Sequence, residues 1–108
     1  PPPPPVVEQT VQLSRDALVL KPLVDAYVSG RYADGIKLSA QVPPTQRLRW
    51  HMLVLRAAAA FTLAESGADD SATAIARKAV TEARASDATR KPDPDYFSPR
   101  FIAFFQGG

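Results

Sequence analysis

The chain has 108 residues, 45% of them hydrophobic, which suits one domain with a modest core and excludes wholesale disorder. Thirteen basic against eleven acidic residues leave a net charge of +2, too even a balance to indicate a polyanionic partner without local clustering. Cysteine is absent, so disulfides, thiolate catalysis and cysteine-ligated zinc are excluded. Alanine dominates the apolar fraction while β-branched residues are sparse, which favours helix over sheet. No apolar stretch approaches the roughly 20 residues that span a bilayer. A chain opening on proline is expected to have lost its native start, and any leader or anchor with it.

Pro1–Pro5 form a run that favours the extended polyproline helix and cannot join a packed one, so residues 1–13 are read as a linker and lead-in. A docking ligand for a proline-binding module is the alternative. Ser14 is placed to cap a helix beginning near Arg15, and the apolar series Leu23, Ala26 and Tyr27 carries it past Pro22, with a bend, to Gly30. A second, short helix is expected over Tyr32–Gln41, with Tyr32, Ile36 and Ser39 or Ala40 facing inward. Pro43-Pro44 ends it, because the residue before a proline is pushed out of helical geometry.

Thr45 suits the N-cap of a third helix, Gln46–Ser66, which is apolar on nearly every side and therefore expected at the centre of the domain. Gly67 suits a left-handed C-terminal cap. Asp69 or Asp70 is placed to cap a fourth helix, Ser71–Ser86, whose Ala72, Ile75, Ala76, Ala79, Val80 and Ala83 keep one continuous apolar face. A loop follows over Asp87–Tyr96. "SPRFIAFFQGG" then reads as a short fifth helix over about 99–106, with serine as cap, proline first and glycine after its end.

Two helix-turn-helix units result, one over about 16–42 and one over about 46–87, with Gly30 and Gly67 at equivalent turns and a small residue, Gly35 or Ala72, five positions later. A side chain at Gly35 would hold antiparallel axes apart. "AYVSGRYADGIKLS" resembles the turn of a tetratricopeptide repeat. Gly30 corresponds to the turn glycine, Tyr32 to the aromatic after it and Gly35 to the small contact residue. In the second unit Ala60, Gly67, Ala72 and Ala79 correspond to the small residue of the first helix, the turn glycine and two small residues of the second. Leu23, Ala26 and Asp69 depart from the repeat pattern. The resemblance covers about residues 16–87 and implies an all-α fold of the α-solenoid type: two antiparallel hairpins plus a capping helix, over residues 14–106. The tail "DPDYFSPRFIAFF" resembles a segment following such repeats in bacterial envelope proteins, which implies a periplasmic or envelope location rather than a cytoplasmic one.

Catalytic chemistry finds little support. His51 is the lone histidine, the close carboxylates Asp69-Asp70 and Asp93/Asp95 sit at a helix start and in a proline-rich loop, and no phosphate loop or metal spacing occurs. No enzyme activity, cofactor, metal or small-molecule ligand is expected. Arg47, Arg49, Trp50 and Arg56 could grip single-stranded nucleic acid through phosphate contact and stacking. The competing reading packs Trp50 against the Pro43-Pro44 corner, leaves the arginines solvated and makes His51 structural. Phe101, Phe104 and Phe105 lie on one face, expected to cap the stack by packing mainly on helix 71–86, or else to bind a partner or a membrane surface. The expected function is therefore a protein-interaction module, a scaffold or adaptor whose partners are other protein subunits. Arg49, Trp50, Arg56 and the three phenylalanines are its candidate contacts. A nucleic-acid-binding module is the alternative.

Overall fold

Helix ends are fixed here by backbone chemistry that local sequence already encodes. The computed structural model describes residues 18–42, 45–67 and 71–107, with the side chains of Gln46 and Arg47 left out. The proline run, the Ser14 cap, the Pro43-Pro44 break and the Asp69/Asp70 cap lie outside the described residues. Helix α1 covers 18–28 and runs through Pro22 without a break. It is followed by α2 (Tyr32–Ser39), α3 (Gln46–Ser66), α4 (Ala72–Ser86) and α5 (Pro99–Gly107). Among the described residues there is no strand.

Gly30 and Gly67 have φ of +81° and +74°, the left-handed geometry that L side chains resist. At the end of α1 this geometry completes a paired closure: the Gly30 amide donates to Tyr27 O at 3.2 Å and the Arg31 amide to Ala26 O at 2.8 Å. Both glycines face open space, so φ, and not crowding, is what selects glycine there. Ser98 caps α5, its Oγ accepting the Phe101 amide at 3.2 Å. Thr45 has extended geometry before α3 but makes no side-chain cap, which corrects that expectation; Thr45 O instead accepts the Leu48 and Arg49 amides. Helix α2 stops at Ser39, two residues early, and its chain closes through tighter bonds such as Gln41 N to Leu38 O at 3.0 Å. Ala40 is exposed, and only Ser39 of the two candidates turns inward. Gly107 is the last residue of α5 rather than the residue after it.

Helix α3 packs between α2 and α4. Its Leu53, Val54 and the four alanines 57–60 are buried, as the near-continuous apolar pattern requires. The facing surface of α4 is Ala72, Ala76, Ala79, Val80 and Ala83, all buried, with Arg77, Lys78, Thr81 and Arg84 in solvent. Small side chains on both partners let the backbones approach and replace voids with dispersion contacts.

Gly35 is the corresponding position on α2, and it is buried. A Cβ there would lie 3.6 Å from Ala59 Cβ, 3.8 Å from Leu23 Cδ1 and 3.9 Å from Ala26 Cβ, so three helices converge on it. Those are ordinary contact distances. The site demands a small residue but not the absence of a side chain, which refines the sequence argument. Gly35→Ala should therefore raise stability by about 0.5–1 kcal/mol through helix propensity. Gly35→Leu should lower it by about 1–3 kcal/mol through overpacking. Parallel denaturant titrations check both signs.

Candidate functional site

The C-terminal phenylalanines turn out to be structural. Phe101 and Phe105 are buried, Phe104 is half-buried, and their ring partners sit mainly on α3 rather than on α4. Phe101 and Phe104 meet Phe61 at centroid distances of 5.7 and 4.9 Å, and Phe105 meets Trp50 at 6.3 Å. Because Trp50 precedes Phe61 on α3, α5 runs back along that helix. Phe61 and Trp50 of α3 accept the α5 rings, and Phe104 also lies beside Thr73 and Ala76 of α4. Arg100 adds an exposed ion pair to Glu65 of α3. These α3 ring contacts join Phe104's place beside Thr73 and Ala76 of α4, so α5 lies on the second hairpin, and Phe101 and Phe105 are not surface available to a partner.

The arginine and tryptophan candidates separate as well. Arg56 Nε donates to Ser39 Oγ at 2.8 Å, and Ser39 Oγ donates to Ile36 O at 2.6 Å. Ser39 is fully buried, so this pair ties the end of α2 to the middle of α3. The structure makes Arg56 a fold-bracing residue. Trp50 is 6% exposed, its ring edge-on to His51 at 5.3 Å and covered by the Arg90 guanidinium 4.9 Å from the centroid. Arg49 is half-buried. Trp50 and Arg56 are consequently not brought together as an open stacking platform.

What the structure does open is a groove of about 510 Å³ between α1, the start of α3 and the segment after α4. Leu20, Val24 and Val28 line it from α1, a stripe at i, i+4 and i+8 distinct from the inward Leu23 and Ala26. Trp50 and Val54 line it from α3. The third wall, Arg90–Phe97, is shaped by two side-chain-braced turns. Asp87 Oδ1 accepts both the amide and the hydroxyl of Thr89, which hold its carboxyl below the usual carboxylate range. Asp93 Oδ1 accepts the Asp95 amide at 2.8 Å, while Asp93 O accepts the amides of Tyr96 and Phe97. Phe97 is anchored between Tyr27 at 5.8 Å and Phe101 at 5.4 Å, which locks this wall to both α1 and α5.

The groove is amphipathic. Arg90 stands over Trp50 and Lys91 lines the groove beside it, whereas Val28 and Tyr96, each 77% exposed, bring apolar surface to its rim. Among the described residues the buried Trp50 Nε1–H has no hydrogen-bond partner, an unusual condition for an indole. Burial, with a smaller contribution from neighbouring Tyr32, pushes the Tyr27 phenol above its usual range, so it lines the groove as a neutral group. Among the described residues no cluster of three potential metal ligands occurs, and no helix is long and apolar enough to cross a membrane.

Leu20, Val24 and Val28 escaped the sequence argument. Their four-residue spacing was the available signal, masked because Leu23, Ala26 and Tyr27 form a second apolar series on the same short helix. No family model, curated protein or solved structure matches the chain.

Replacing Ser39 by alanine removes the acceptor of Arg56 Nε and should destabilise the fold by about 1 kcal/mol, measured by chemical denaturation. An unchanged midpoint would show that the α2–α3 tie contributes nothing.

Proposed function

We propose that this chain is a non-enzymatic protein-interaction module, a scaffold or adaptor subunit of a larger assembly, that docks a segment of another protein in the α1–α3 groove. The observation that carries the reading is the concentration of exposed apolar surface at that groove. Val24 and Val28 on one lip and Tyr96 on the other are among the large hydrophobic residues left in solvent, while the bulk of the apolar residues are inside. Surface of this kind, bordered by cations, is suited to a partner's apolar side chains. The glycine turns and small-residue contacts support reading α1–α2 and α3–α4 as tetratricopeptide-like hairpins, with α5 as their cap. The resemblance of the tail to bacterial envelope proteins supports a place in an envelope assembly. A nucleic-acid surface draws less support, since Trp50 is covered and Arg56 is engaged inside the fold.

Val28→Asp and Tyr96→Asp place charge at exposed rim positions, so each should shift stability by no more than about 0.5 kcal/mol. Capture of partner proteins from an extract of the source cells should nevertheless fall at least about tenfold relative to the unaltered chain, read by quantitative mass spectrometry. Capture at full strength by both stably folded variants would overturn the groove as the docking site.

A further inference from the structure

Among the described residues that line the groove, side-chain hydrogen-bond donors outnumber acceptors. Arg90 and Lys91 are both exposed, and among the described residues neither forms an ion pair. The Arg90 guanidinium is held against the face of Trp50 instead, which fixes a positive charge at the groove wall without neutralising it. Trp50, 6% exposed, adds the indole N–H that has no acceptor among the described residues. Asp93 is the one carboxylate among the described lining residues, and its Oδ1 already accepts the Asp95 amide at 2.8 Å. Asp87, whose carboxyl feels the Arg90 charge, stays outside the lining and is engaged by Thr89.

Beside these donors runs the apolar stripe Leu20, Val24 and Val28, about 12 Å long at 1.5 Å per residue. We propose that the groove takes a partner segment that sets apolar side chains on this stripe and a side-chain carboxylate, from Asp or Glu, against Arg90 and Lys91. The inference rests on the docking reading for the site and adds the chemistry its occupant must have. A carboxylate exchanges water on the two cations for charge-assisted hydrogen bonds and brings an acceptor to the wall that holds the indole N–H. A nucleic-acid phosphate would meet the cations but leave the apolar stripe in water. A small anionic amphiphile would lie within the groove and leave the rim residues Val28 and Tyr96 exposed, whereas a protein segment with flanking structure covers both.

Trp50 is the chain's single tryptophan, so its emission reports on this wall alone. Short random peptides displayed on phage are selected against the full chain, with the Val28→Ser/Tyr96→Ser chain, altered only at exposed positions and without new charge, as counter-selection. Enriched peptides should carry Asp or Glu within a few residues of a large apolar side chain, and synthetic copies should shift the tryptophan emission. Arg90→Gln combined with Lys91→Gln should raise their Kd at least about tenfold. Exchanging the peptide's Asp or Glu for Asn or Gln should cost as much on the unaltered chain and little more on the double variant, the mark of a direct pairing. Additive losses place the carboxylate elsewhere and overturn the inference. Enrichment of apolar peptides without acidic residues overturns it too, while leaving groove docking standing. An emission shift with decanoate and no enriched peptide overturns it in favour of a small amphiphile. No enrichment over the Val28→Ser/Tyr96→Ser chain removes the docking reading and this inference together.

Discussion

Four consecutive alanines, Ala57–Ala60, cover a full turn of α3, so every side of that helix presents a methyl group at the same level. All four are buried, which means neighbours must approach from all round. Gly35 on α2 lies against Ala59, and the alanines of α4 line the opposite side. The constraint is one of thickness. Alanine contributes little hydrophobic area per residue, so the arrangement depends on close approach and on the many weak contacts that approach permits.

The bulk that the alanine segment lacks is supplied at its two ends. Trp50 and Phe61 flank it, and α5 returns along α3 with Phe105 and Phe101 set against them. Phe97 continues the ring series to Tyr27 and Tyr32, so a chain of aromatic contacts runs from α3 through α5 to the α1–α2 turn. Edge-on and tilted ring pairs of this kind contribute beyond their buried area. The same series anchors the Arg90–Phe97 wall of the groove, so the groove is held by the core packing itself. Its lips differ: the rings beneath are fixed, while Val28 and Tyr96 remain in solvent.

The helical turns were legible because their causes are local. A left-handed glycine at Gly30 or Gly67 and a serine before proline at Ser98 act on the next few amides, and the α4 face follows from one periodic series. The destination of α5 was not legible. Its aromatic face is equally suited to any apolar surface, and no local rule pairs it with Phe61 and Trp50. The Arg56–Ser39 bond joins positions 17 apart, where no local rule applies, and an arginine on a buried helix reads as solvated until its acceptor is seen. The groove itself depends on how the 87–98 segment crosses α1, so its residues carried only a four-residue spacing as a trace.

The claim that small side chains at the α3 seams hold the fold together is tested most directly by the unfolding free energies of Ala76→Leu and Arg77→Leu. The two positions are adjacent on α4, one buried and one exposed. The account predicts a loss of about 1–3 kcal/mol for Ala76→Leu and a change within about 0.5 kcal/mol for Arg77→Leu. Equal stability of the two variants would contradict it.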